Sequence, residues 1–453
     1  MKKRIDILEG SIGKNLFKLS LPVILTSLIS ILYNLTDIKF ISTYLGDKEV
    51  SSAAAATFFI IFAMSFLMIA KNGAQILVAQ SIGAKIYKHA RAYARIAIIL
   101  TTIFSILCLL ISLIFTKELI MLVGVSEPDY LVSAIKFLRI CSLGFPFLFM
   151  TFTLSAIISA DGDTFAPFVF TSTGILVNVL LDYVFLGIFK FDISGAAIAT
   201  VLSQVISAVL LCIYIRTPKS KFRKMKIFKI DNPYMYMRLI RIGLPSGISQ
   251  ALFTIISIVI AHKIAGIDIK ALGVQRLGVQ FEAFSWNIAS GLSSAVATYV
   301  AQNYGAKKYD RVSEVYRLSM KSISIFGLMI SIVFIAFARP LYSSFFEDEK
   351  FVNYGVYYLR IIGLTQIFQC IEIITGGAFN GIGKVKQPTI IGVIGTSLRI
   401  PFVYLLAPIF GINIIWWVIS ASMLLKGIVS YIWFTKSWNS FIIKENELKR
   451  GMV

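Results

Sequence analysis

VAQSIGAKIYKHAR at residues 78–91 and VAQNYGAKKYDRV at 300–312 are two copies of one phrase. Each follows a long apolar run, breaks at Gly-Ala-Lys and leads into another apolar run. Three further blocks recur in the same order. KLSLPVILTS (18–27) resembles RIGLPSGISQ (241–250), FLRICSLGFPF (137–147) resembles YLRIIGLTQIF (358–368), and SAIISADGDTFAP (155–167) resembles GGAFNGIGKVKQP (376–388). In chain order the four offsets are 223, 222, 221 and 221 residues. Four blocks at a nearly constant offset describe two homologous halves.

The segments around these blocks decide what the halves are made of. The chain has 453 residues, 57% of them hydrophobic, and a mean hydropathy of +0.81. A helix needs about 20 apolar residues to cross a bilayer, and runs of that length recur throughout. Strands would require a closed barrel with period-2 alternation, which is lacking. The expected fold is an all-α polytopic membrane protein of twelve transmembrane helices in two six-helix lobes. Six is even, so both halves enter from the same side as parallel repeats, and substrate sites in such carriers lie between the halves near the midplane.

Net charge is +21, from 44 basic and 23 acidic residues. Such a balance can signal nucleic acid, but here Lys and Arg concentrate in alternate short connections. Lys2, Lys3 and Arg4 precede the first span; Lys85, Lys88, Arg91 and Arg95 follow the second; Lys307, Lys308, Arg311 and Arg317 follow the eighth. Lys449 and Arg450 lie in the tail, while an opposite connection carries Glu347, Asp348 and Glu349. By the positive-inside rule both termini are cytoplasmic, membrane lipid is the expected charged partner, and no nucleic-acid role is expected. The expected domains are an N-terminal lobe (1–215), a basic cytoplasmic linker (216–236), a C-terminal lobe (237–437) and a cytoplasmic tail (438–453). The linker reads either as a charged tether or as a lipid- or partner-binding segment. The N-terminal residues lead straight into a full-length span, so no removable signal peptide is expected. Four cysteines lie in or beside apolar segments, without disulfide or metal spacing.

Comparing the halves locates chemistry. In ILVNVLLDYVFLG (175–187), Asn178 and Asp182 share one helix face, a turn apart. An Asp at the bilayer centre costs roughly 2.5–3.5 kcal/mol on insertion scales. At an offset of 221, Asn178 maps to Arg399 and Asp182 to Val403; at 223, Asp37 of the first span maps to Ile260. The N-terminal half therefore carries two intramembrane carboxylates that the other half lacks. Two carboxylates with an amide and a hydroxyl make a hard oxygen cage that suits Na⁺ or, equally, a proton. The alternative is that Asp37 and Asp182 only pair with Lys39, Lys71 or another buried base.

Glu282 and Glu372 are further intramembrane acids. Each is a substrate or proton group, or else pairs with Arg276, Arg360 or Arg399. Arg139 and Arg360 are repeat-equivalent, which favours a structural role. Pro22 and Pro245 are also equivalent, and a proline in a spanning helix invites bending beside Asp37. No Walker pattern and no Ser/His/Asp or metal constellation occurs in a loop. A secondary carrier, not an enzyme, is expected, with no cofactor beyond Na⁺ or H⁺ as coupling ion.

LSLPVILTSLISILYNLTDIKFIS (19–42), GAQILVAQSIGAK (73–85), SAIISADGDTFAP (155–167), NVLLDYVFLG (178–187) and GAAIAT (195–200) together resemble the multidrug and toxic compound extrusion (MATE) transporters. The resemblance covers nearly the whole chain. It implies a two-lobe exporter, monomeric, in the inner membrane, that expels cationic amphipathic small molecules in exchange for Na⁺ or H⁺. The DinF-like pattern of that family implies a coupling site at Asp37, Asn178, Asp182 and Thr200, with Na⁺ as one occupant; Thr200 comes from the resemblance alone. The chain also departs from the family. Phe253 stands where one subgroup has a seventh-helix Glu, and Gln369, with Glu372 about a turn further on, stands near that subgroup's tenth-helix Asp. Ile38 and Lys39 replace small or polar residues. A flippase for a lipid-linked sugar, with Arg276 and Arg399 lining a basic cavity, is the first rival, and a channel or membrane sensor the second.

Overall fold

A computed structural model describes the chain except residues 1–5, 123–126, 228, 230, 347 and 451–453, and the side chains at 35, 47, 265, 269, 270, 272 and 448–450. Lys2, Lys3, Arg4 and Glu347, and the side chains of Lys449 and Arg450, therefore lie outside the described residues. Among the described residues the regular structure is helical, with no strand.

The first half contains α1 (Ile12–Leu45), α2 (Asp47–Gly83), α3 (Tyr87–Ile114), α4 (Thr116–Leu122), α5 (Pro128–Leu143), α6 (Phe145–Ala160), α7 (Phe165–Asp182) and α8 (Ile193–Arg216). A wide π-helical segment, Tyr183–Ile188, continues α7. The second half contains α9 (Pro233–Ala265), α10 (Ile269–Gly305), α11 (Tyr309–Ala336), α12 (Ala338–Ser343), α13 (Glu349–Gly363), α14 (Gln366–Gly381), α15 (Lys386–Ser397), α16 (Arg399–Phe410) and α17 (Asn413–Arg450).

The repeat is visible residue by residue. α2 and α10, and likewise α3 and α11, begin and end 222 positions apart. Lys85 and Lys307, the lysines of the two Gly-Ala-Lys breaks, both take positive φ, 60° and 57°. A 49° bend separates α5 from α6 and a 48° bend separates α13 from α14. By length and apolarity nine helices can cross a membrane, or up to eleven with each bent pair as one span, among the described residues. α10 is 37 residues long, but Gln275, Arg276, Gln280, Glu282 and Asn287 keep it outside that apolar count. Pro22 and Pro245 lie inside unbroken helices.

The chain divides into two compact units: Met1–Leu8 with Phe17–Gln250, and Glu9–Leu16 with Ala251–Val453. In unit 1, α2 packs on α3, α5 and α6, and α8 packs on α5, α6 and α7. Its core includes Ala63, Leu67, Phe145 and Phe149 in one cluster and Ile41, Phe137, Leu138 and Leu186 in another. Glycines bring backbones together, as is usual between helices in lipid. A Cβ on Gly243, at the start of α9, would lie 1.8 Å from the Ile69 carbonyl oxygen, and one on Gly174 1.8 Å from Ser207 Oγ.

The described residues of the segment after α8 pack within unit 1. Phe222 and Met225 are buried, and Arg216 donates to the Met225 carbonyl at 3.0 Å. Lys221 pairs with Asp161 at 2.7 Å. Buried Arg95 grips the Asp231 carboxylate with two bonds, at 2.6 and 2.5 Å, and also donates to the Lys226 carbonyl.

In unit 2, α14 packs on α10, α11 and α17. The core centres on Trp416, with Tyr342, Tyr358, Ile362 and Val403. Arg139 donates to Thr116 Oγ1 in unit 1, and Arg360 donates to the Ile335 carbonyl in unit 2, each tying a bent span to the end of the preceding one. The two arginines hold equivalent structural posts.

Candidate functional site: buried polar clusters in each unit

α7 places Asn178 and Asp182 on one face, and both are buried, at 1% and 0% exposure. The Asp37 carboxyl, from α1, adjoins that of Asp182. Tyr33 sits one turn before Asp37; its hydroxyl is a hydrogen-bond partner of the Thr200 side chain on α8 and faces both carboxyls. α8 reaches this position because GAAIA is a run of small residues: a Cβ on Gly195 would lie 2.8 Å from Phe191 Cβ. Asp192 caps the helix by accepting from Ser194 N at 3.0 Å. The structure thus gathers Asp37, Asp182 and Thr200, and sets Asn178 a turn from Asp182 on the same face. Tyr33 is the member that sequence reasoning missed; its spacing of four from Asp37 was the available signal.

The donor set fits a small hard cation. Buried polar side chains are nearly always hydrogen-bonded. Here Asp37 Oδ1, both Asp182 oxygens and both Asn178 amide atoms are buried with no hydrogen-bond partner. Neither suggested lysine neutralises them. Lys39 is exposed, and Lys71 Nζ lies over the Phe152 ring at 5.5 Å. Two carboxylates with an amide and a hydroxyl oxygen form a hard donor set that suits Na⁺ or a proton. The π-helical segment begins directly after Asp182. Such segments break the regular α ladder and often lie at functional positions.

Unit 2 is polar in a different way. Glu282, on α10, is 1% exposed and accepts from the Tyr358 hydroxyl. Ser285 Oγ donates to Gln366 Oε1 at 3.0 Å beside it. Glu372, on α14, pairs with Lys426 of α17 at 2.9 Å, a partner the sequence did not suggest. Arg399 is buried, donates to Ser422 Oγ at 2.5 Å and feels the charges of Glu372 and Glu282. Gln369 Oε1 is buried with no partner. Phe253 stacks edge-on against Trp286.

Two like helical units, each with a charged cluster buried among spanning helices, define a polytopic helical membrane protein. The MatE family model matches residues 22–184 and 245–405. The chain belongs to that family, the MATE transporters, and is an integral protein of the cytoplasmic (inner) membrane. It is 25% identical over 433 residues to the probable multidrug resistance protein NorM of Thermotoga maritima, covering 93% of this chain and 92% of the relative. It is 26% identical over 438 residues to the FAD transporter of Shewanella oneidensis, covering 95% and 96%. Its fold matches a solved MOP superfamily transporter from Pyrococcus furiosus with a TM-score of 0.90 at 19% identity, over 97% of this chain and 99% of that one.

Proposed function

We propose that this MATE transporter is a cation-coupled antiporter that exports cationic amphipathic small molecules as a monomer by alternating access, with both termini cytoplasmic. One observation carries the coupling: Asp37 and Asp182 adjoin inside unit 1 with no side-chain cation to neutralise them among the described residues. Two bare carboxylates side by side in a low-dielectric setting repel each other. Na⁺ held by Asp37, Asp182, Asn178 and Thr200, or a proton shared by the two acids, removes that repulsion. A group that binds one conformation better than another shifts the equilibrium between them only by that difference. Ion binding that is strong in one state and weak in the other therefore drives the cycle, and release of the ion pairs with export of substrate. The relative named as a multidrug resistance protein supports the drug class.

A second substrate class, anionic and nucleotide-like, is supported by the relative named as an FAD transporter and by Lys71, an intramembrane lysine set against an aromatic ring rather than an acid. Ethidium and FAD efflux from proteoliposomes, under separately imposed Na⁺ and H⁺ gradients, tests both. The expected result is export of ethidium driven by at least one gradient, and its loss in Asp37→Asn and Asp182→Asn. Wild-type efflux by either variant, or no response to either gradient, refutes the coupling.

A further inference from the structure

Position 399 is where the two units part company chemically. α7 begins at Phe165 and α15 at Lys386, an offset of 221, and the same offset carries Asn178 onto Arg399 and Asp182 onto Val403. Val403 is wholly buried in the apolar core around Trp416. Arg399 is buried too, its Nε bonded to Ser422 and its charge facing Glu372, Glu282 and the Tyr358 hydroxyl. Lys426 supplies a second cation, 2.9 Å from Glu372. Unit 2 thus sets two carboxylates against two side-chain cations, whereas unit 1 has two carboxylates and, among the described residues, no side-chain cation beside them.

We propose that Arg399 is a tethered cation: with Lys426 it satisfies permanently, in unit 2, the charge requirement that unit 1 meets with a coupling ion, so that ion coupling runs through unit 1 alone. The inference rests on the unit 1 site being the coupling site. A guanidinium stays protonated at any physiological pH and presents a rigid fork of donors. It cannot dissociate, so Glu282 and Glu372 keep their counter-charge at every stage of a cycle. A buried carboxylate deprived of its cation must find another or take up a proton, which is the behaviour proposed for Asp37 and Asp182. Arg399 is in these terms a positioning residue: it bonds to Ser422 and acts on Glu282 and Glu372 through its charge, not on the transported molecule.

The test reads thermal stability of the purified full-length protein with and without Na⁺ and across pH, for Arg399→Gln and Arg399→Lys, in the wild-type and Asp182→Asn backgrounds. Asp182→Asn alone is expected to lose the ion response. Adding Arg399→Gln is expected to restore an ion- or acid-dependent rise in Tm of at least half the wild-type size, and Arg399→Lys is expected to restore none. A folded Arg399→Gln/Asp182→Asn protein as unresponsive as Asp182→Asn overturns the proposal, as does an equal response from the Lys variant. If Arg399→Gln does not yield folded protein, adding Glu282→Gln is expected to recover monodisperse material; failure to recover overturns the proposal as well. The comparison of Gln with Lys in the wild-type background reads unit 2 by itself. An ion response that survives Asp182→Asn alone sinks the coupling reading of unit 1 instead, so the two failures are distinguishable.

Discussion

Gly174→Ala tests how the Asp37–Asp182 cluster is held together without touching any of its members. Gly174 lies one turn before Asn178 on α7 and faces α8. A Cβ there would lie 1.8 Å from Ser207 Oγ, 3.2 Å from Ser207 Cβ and 2.9 Å from the Ser203 carbonyl oxygen. The hydroxyl can rotate away, but the carbonyl is backbone and cannot. α7 and α8 must therefore part by a few tenths of an ångström, and overpacking of this kind costs about 1–3 kcal/mol. Ser203 and Ser207 share a helix face with Thr200, so the separation also draws Thr200 away from Asn178 and Asp182. At about 2–4 °C per kcal/mol, the scale for domains of about 150–250 residues, the expected fall in Tm is about 2–12 °C, with a weaker ion response and slower ethidium efflux. Ser207→Gly in the same protein is expected to restore part of both. Gly392→Ala is the matched control: the nearest heavy atom to its added Cβ is Glu372 Oε1 at 4.0 Å, so the usual gain of about 0.4–1 kcal/mol for Gly→Ala in a compatible conformation is expected. Differential scanning fluorimetry and efflux on the same preparations decide the matter. Wild-type Tm and efflux in Gly174→Ala, or a loss in Gly392→Ala as large as in Gly174→Ala, would refute the packing argument.

Glu372→Gln leaves Lys426 buried without its counter-charge, and breaking a buried pair costs about 3–5 kcal/mol; lower yield and Tm are expected, recovered when Lys426→Met is added. Arg95→Ala removes both bonds to Asp231 and the bond to the Lys226 carbonyl. Trypsin is then expected to cut within 217–232 many-fold faster than in the wild type, and an unchanged digestion rate would show that the segment is held otherwise. Lys136 holds the Asp192 carboxyl below the usual carboxylate range, by a hydrogen bond and by charge. The stabilisation from that lowered value is complete above the unfolded carboxylate pKa of about 3.9 and is lost as pH falls through the folded value. Lys136→Gln should therefore unfold slightly more readily than the wild type near neutral pH and match it in strong acid, as read by thermal melts across pH.

The helical class, the repeat and the asymmetry between the halves were legible in the chain itself, because each is a local or periodic property. Long apolar runs leave helices as the chief way to satisfy the backbone in lipid. Two Gly-Ala-Lys breaks 222 residues apart fold alike because the same local residues demand the same backbone. Asn178 and Asp182 share a face because four residues make about one turn. The tertiary structure decided which charges meet. Lys426 and Glu372 come together from α17 and α14, Tyr358 and Glu282 from α13 and α10, and neither pairing has a local signature. Breaks in spanning helices occur at Gly144 and around Leu364–Thr365, while α1 and α9 run on past Pro22 and Pro245. The segment at 216–236 reads as a charged linker by composition, and only the folded structure shows Lys226 and Asp231 bonded to Arg95, more than a hundred positions away. A sequence states which charges must be buried; only the packed helices state which of them are given a partner, and Asp37 and Asp182 stand out because, among the described residues, no side-chain cation sits beside them.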